Sequence, residues 1–143
     1  MATVNPYLNF LGNTEEAFNF YKSVFGGEFA MVMRFKDVPP EHKMSPTEDE
    51  KIMHIALPLG QGSILMGSDI PEAYGKVVPG TNITISISTS SEEEADNFFK
   101  GLSEGGQPTM PMEKAFWGSY FGMLTDKFDV QWMISYDYGR GQE

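Results

Sequence analysis

Cysteine is absent from the 143 residues, which removes disulfides, thiolate zinc sites and cysteine nucleophiles together. Basic residues are scarce: ten Lys and Arg stand against twenty Asp and Glu, a net charge of −10, and the ten are scattered along the chain. That balance repels phosphate backbones and argues against a nucleic-acid partner; its plain consequence is solubility. No apolar run approaches the ~18 residues that a membrane span needs. The N-terminal MATVNPYL lacks both the basic flank and the apolar stretch of a signal peptide, so the expectation is a cytoplasmic protein with no membrane partner. Histidine is rare as well, and His42 and His54 are the two positions where imidazole chemistry is possible.

What is present is a core and a repeat. Hydrophobic residues make up 41% of the chain and aromatics 13%, enough for a packed interior. The octapeptide EEAFNFYK at 15–22 returns as EEADNFFK at 93–100. Asn13 with Glu16, and Ser91 with Glu94, each have the spacing of a helix N-cap and the acid that closes a capping box. With one residue inserted at Gly105-Gly106, Met31 and Met33 fall on Met110 and Met112. The chain therefore reads as a duplicated module of two units of about 70 residues, each marginal alone.

Apolar spacing predicts a strand over 6–11, a helix over 14–25 burying Ala17, Phe20, Tyr21 and Val24, and a strand over 28–35. The segment DVPPEHKMSPTEDE at 37–50 reads as a loop or lid. Strands over 51–59 and 63–68 flank GQG as a hairpin, so the first unit is βαβββ, covering 1–69. After a connector over 70–81, the second unit, 82–143, repeats the order. It has strands near 82–88, 107–112, 119–124 and 130–135, and a helix to Leu102 that buries Ala95, Phe98, Phe99 and Leu102. The connector is long enough to cross to a second chain, which leaves a domain-swapped dimer open.

These motifs, PYLNFLGNTEEAFNFYKSVFGGE, IMHIALPLGQGSILMGSD and FWGSYFGMLTDKFDVQWMI, resemble the PhnB-like branch of the vicinal oxygen chelate superfamily, which includes glyoxalases, fosfomycin and bleomycin resistance proteins and extradiol dioxygenases. The resemblance implies an α+β fold in which two βαβββ units form curved mixed sheets around a cup. It also implies a homodimer, in which the GSILMGSD strand and its counterpart would be edges covered by another chain. Members of the branch are often labelled as relatives of a 3-demethylubiquinone methyltransferase, yet no Gly-rich strand-to-helix turn of the nucleotide-cradling kind is legible here.

In the superfamily a divalent metal is held by His, Glu or Gln from both units and binds two neighbouring substrate oxygens. Aligned by the helices, the ligand positions fall at Pro6, near 82–84, among Ile64, Leu65 and Met66, and at Met133, with Gln131 on the same strand face. No carboxylate or imidazole stands at any of them, so no cofactor and no metal is expected, although a divalent metal remains the superfamily's usual partner. His54, within IMHIAL, is the candidate polar anchor or general base; a His hydrogen-bonded within the core is the plainer alternative. The resemblance places Tyr7, Phe10, Met66, Trp117, Tyr120, Gln131, Trp132 and Met133 around the cup with His54, where rings stack on flat or cationic ligands and thioethers adapt to varied ones. Asp69 and Asp126 read as turn residues. Asp129 stands where the branch usually has Gly. Three functions follow: a metal-independent protein binding an unidentified small molecule, a metal-dependent lyase or isomerase of the glyoxalase type, or a structural dimer with a filled cup.

Overall fold

Both copies of the repeated octapeptide are helical, in α1 (Thr14–Phe25) and α2 (Glu92–Ser103). In α1 the buried stripe is Thr14, Ala17, Phe18 and Tyr21, so the expected core position at Phe20 passes to Phe18, and Phe20 and Val24 are half-buried. In α2 only Ala95 and Leu102 are fully buried. The computed structural model describes residues 2–139. By contact the chain divides into two units between Val78 and Pro79, inside the expected connector.

The first unit contains β1 (Tyr7–Phe10), α1, β2 (Met31–Arg34), β3 (Ile52–Gly60) and β4 (Ser63–Asp69). Its sheet runs in the order β1-β4-β3-β2, with β1 parallel to β4 and the other neighbours antiparallel. The β3–β4 hairpin closes on Gln61 and Gly62 at φ 52° and 84°, the doubly positive turn whose twist suits a hairpin. The second unit repeats the plan with β5 (Ile85–Ser88), α2, β6 (Gln107–Lys114), β7 (Ser119–Thr125) and β8 (Gln131–Asp137), in the order β5-β8-β7-β6. This is the βαβββ duplication. One expectation is corrected: the GSILMGSD strand is β4, which lies between β1 and β3, and its counterpart β8 is likewise internal. The edges are β1 and β2 in one sheet and β5 and β6 in the other, because the first strand of each unit returns to pair with the last.

Helix starts are satisfied in two different ways. Asn13 makes no side-chain cap; Asp69, from the end of β4, takes over through Oδ1, accepting from the N–H groups of Gly12 (2.8 Å) and Thr14 (3.1 Å) and from the Thr14 hydroxyl (2.7 Å). Its Oδ2 accepts from Ile52 N–H at 2.9 Å. Asp69 thus ties helix to sheet across the unit and is not a turn residue. In α2 the cap is local, Ser91 Oγ accepting from Glu94 N–H, while the Glu94 carboxylate accepts from Ser90 N–H and faces the Ser90 hydroxyl. Asp126 does act in its turn, accepting from Phe128 and Val130 N–H, and also from Trp132 Nε1 at 2.8 Å. Asp129 carries the positive φ of that turn, 70°.

The 37–50 segment is built of short 3-10 turns over Phe35–Asp37, Pro40–His42 and Pro46–Glu48. It is pinned at both ends. Arg34 pairs with Glu15 of α1 (2.6 Å) and donates to Glu50 O. The buried Glu48 accepts from Glu72 N–H, and Lys51 Nζ lies 2.9 Å from its Oε2.

Candidate functional site

Side chains alternate across a strand and directly paired residues share a face, so one contact with the helix fixes the face of the residues paired in register with it. A Cβ placed on Gly67 would lie 2.7 Å from the Phe18 ring of α1; Gly67 and its partner Ile55 therefore face the helix, and Met66 and His54 face away. Register puts Tyr7 beside Met66, Met33 beside His54 and Met31 beside Ala56. The open face of the first sheet thus carries Tyr7, His54 and three methionines, Met31, Met33 and Met66. Tyr7 Oη lies 3.2 Å from His54 Nδ1, which fixes the imidazole and leaves Nε2 as its other polar atom. With Tyr7 donating to Nδ1, Nε2 carries the proton; with the roles reversed, Nε2 is an acceptor.

In the second unit a Cβ on Gly122 would meet Phe99 of α2 at 3.0 Å, so Gly122 and its partner Ile134 face the helix. Phe121, Met123, Gln131, Met133 and Ser135 lie on the opposite face. Gln131 Nε2 donates to Ile83 O at 2.6 Å. That face holds a cavity of about 250 Å³. Trp117 and Phe121 form its aromatic wall, 5.4 Å apart between centroids and at 74°; Ser88, Thr89, Ser119, Ser135 and Asp137 form the polar one. Trp117 is presented by the turn between β6 and β7, where Gly118 takes φ 95° and its N–H reaches Ala115 O. Ser119 is 94% buried (6% exposed), and its hydroxyl has no hydrogen-bond partner among the described residues.

Of the residues expected around the cup, Tyr7, His54 and Met66 share one open face, and Gln131, Met133 and Trp117 belong to the other unit's. Phe10, Tyr120 and Trp132 lie on the helix sides. Phe10 packs edge-on to Phe18, Trp132 is fully buried with its N–H on Asp126, and Tyr120 donates to Asp96 of α2 at 2.7 Å. That hydrogen bond, helped by burial and the Asp96 charge, pushes the Tyr120 phenol up to about 12. Sequence reasoning missed Ser88, Thr89, Ser119, Ser135 and Asp137. The only signal for the first four was serine and threonine on or beside strands that otherwise read as apolar; Asp137 lies past the end of the strand expected over 130–135.

The superfamily's metal finds no fitting donor set. Among the described residues no three His, Cys, Asp or Glu side chains gather closely enough to hold an ion. The open-face positions in β4 and β8 carry the thioethers of Met66 and Met133, which suit soft ions and not hard divalent cations.

Residues 2–135 match the family described as 3-demethylubiquinone-9 3-methyltransferase. Among solved structures, protein PA1353 from Pseudomonas aeruginosa is 36% identical over 96% of this chain and 98% of its own, with a TM-score of 0.85. A protein described as a putative 3-demethylubiquinone-9 3-methyltransferase, PhnB protein, from Bacillus cereus is 26% identical, over 94% and 99%, at a TM-score of 0.72. Protein YjdN of Escherichia coli is 27% identical over 92% of this chain and 93% of its own. A glyoxalase-related enzyme from Fulvimarina pelagi, 19% identical over 96% and 89%, shares the fold at a TM-score of 0.61.

Proposed function

The chain belongs to the PhnB-like family described as 3-demethylubiquinone-9 3-methyltransferase, on the fold of the vicinal oxygen chelate superfamily, and on that premise we propose that it binds a small organic molecule against the open face of its second sheet without a metal. The observation that supports this reading is the cavity of about 250 Å³ with one aromatic and one hydroxyl-bearing wall. A few convergent polar groups beside apolar surface are what a ligand site needs. His54, held by Tyr7, is the candidate polar anchor and proton carrier of the first unit's own open face. Methyl transfer gains no support from the strand-to-helix turns. Leu11-Gly12-Asn13 and Thr89-Ser90-Ser91 lack the glycine-rich form that brings a helix N-terminus against a nucleotide-like cofactor.

A thermal-shift screen of small amines, acids, alcohols and aromatic metabolites tests the reading. Compounds should raise the melting temperature of the wild type and lose that effect in Ser88→Leu, which fills the cavity from an exposed position. Hits that stabilise both proteins equally, or no hits, would sink the proposal. A homodimer, which the family resemblance implies, and a cytoplasmic location belong to the same proposal. Light scattering at the monomer mass of 16.0 kDa would remove the dimer from it.

A further inference from the structure

The second unit's cavity has a definite chemical bias. Its aromatic wall presents an indole and a phenyl ring nearly at right angles, and ring faces attract cations within about 6 Å. Its polar wall carries one carboxylate, Asp137, whose only hydrogen bond among those of the described residues comes from Gly139 N–H. None of the ion pairs among the described residues involves it. Glu113 is the cross-strand partner of Phe121, which places a second carboxylate on the same face. Lys114, the residue after Glu113, pairs with Tyr120 on the helix side and lies over the Tyr138 ring, so its ammonium is turned away from this face.

The buried Ser119 hydroxyl is the independent pointer to a ligand. A polar group removed from water without a partner costs free energy that a bound donor or acceptor recovers. The α2 N-terminus, which begins beside Thr89, is no rival anion site, because Ser91 caps it and Glu92, Glu93 and Glu94 crowd its first turn.

We propose that this cavity binds the protonated amine of a small aryl or alkyl amine. Asp137 is the counter-ion, Trp117 and Phe121 hold the cationic end against their rings, and Ser119 Oγ accepts one ammonium hydrogen. The cavity lies below the ~300 Å³ at which drug-sized sites begin, so the ligand is small or leaves part of itself outside. The overall charge of −10 favours approach of such a cation. This inference rests on the reading of the open face as a ligand site.

The test is fluorescence titration with three probes that differ in charge: benzylammonium, benzyl alcohol and phenylacetate. The chain has two tryptophans, and Trp132 is fully buried, so a change in emission that vanishes in Trp117→Phe reports on the cavity. Benzylammonium is expected to bind roughly tenfold more tightly than benzyl alcohol, with no binding of phenylacetate. Asp137→Asn should weaken benzylammonium by roughly tenfold and leave benzyl alcohol unchanged, and Ser119→Ala should weaken benzylammonium by several-fold. Equal affinity for the amine and the alcohol, or indifference to Asp137→Asn, overturns the amine assignment while leaving small-molecule binding intact. Silence with all three probes overturns it too, and the thermal-shift screen then judges the broader reading separately.

Discussion

Asp69 accepts four hydrogen bonds through a side chain only 2% exposed, so alanine at this position leaves three backbone N–H groups and the Thr14 hydroxyl without an acceptor. We expect Asp69→Ala to lower the unfolding free energy by about 4 kcal/mol in urea denaturation; a loss under about 1 kcal/mol would mean that water enters and replaces the carboxylate. Asparagine should recover part of this, because its carbonyl still serves the helix start. Two phenols belong to the same scale. Tyr120 is held up to about 12 by its hydrogen bond to Asp96, and Tyr138 to about 12 by burial and its bond to Glu92. A raised phenol pKa favours the protonated form in the folded state. The stability it gives is therefore complete below the ordinary value of about 10 and is lost as pH rises through about 12. Ultraviolet titration should show two late tyrosines, one of which disappears in Tyr120→Phe.

At the scale of elements, the pinned 37–50 segment carries a pH signature. Its interaction with Lys51, aided by the Glu72 N–H, holds the Glu48 carboxyl below the ordinary range against the opposing effect of burial, and Glu48 raises the Lys51 ammonium in return. The carboxylate's contribution is present above its unfolded value and fades as pH falls through the lowered one; the ammonium's is present below its unfolded value and fades as pH rises through the raised one. The melting-temperature gap between wild type and Glu48→Gln should accordingly be widest near neutrality and close at both extremes. A gap that stays constant from acid to alkali would remove the latch. The hairpin at Gln61 offers a simpler check: Gln61→Asn should stabilise by about 0.5 kcal/mol, since asparagine tolerates positive φ better in this turn.

Helices and strands were legible because their apolar spacing is local, and the repeated EEAFNFYK and EEADNFFK announced the plan. What lay beyond reach was long-range. Asn13 looked like a cap because nothing near it in the chain reveals that Asp69, 55 residues away from Thr14, does that work. The faces were hidden for a related reason. Phe10 and Ile87 both look toward their helices, an offset of 77, whereas the helices themselves align at 78. Three residues join strand to helix in each unit, yet the helix-facing side of the first strand differs by one step, so a constant offset reverses every side chain of that strand. Phe10, Tyr120 and Trp132 were grouped with the true open-face residues because the resemblance gave the strands around the cup without the inward face of each, and the serines of the cavity were passed over because the grouping followed rings and thioethers.

For the whole molecule, twenty acids against ten bases mean that the folded chain works against its own charge. Raising salt from about 0.01 M to about 0.2 M shortens the screening length from ~30 Å to under ~10 Å and should raise the melting temperature by a few degrees; a decrease would mean that the surface ion pairs outweigh the general repulsion. The parallel pairing of first and last strands has a further consequence, one of timing on the ribosome. Tyr7 waits for Met66, and Ile85 for Trp132, so the earliest strand of each unit leaves the exit tunnel with its place in the sheet not yet made. Helix α1 likewise emerges well before Asp69, the residue that finishes its start. Each unit therefore completes late and nearly all at once, and a nascent chain arrested before β8 would hold one finished unit and one unpaired strand.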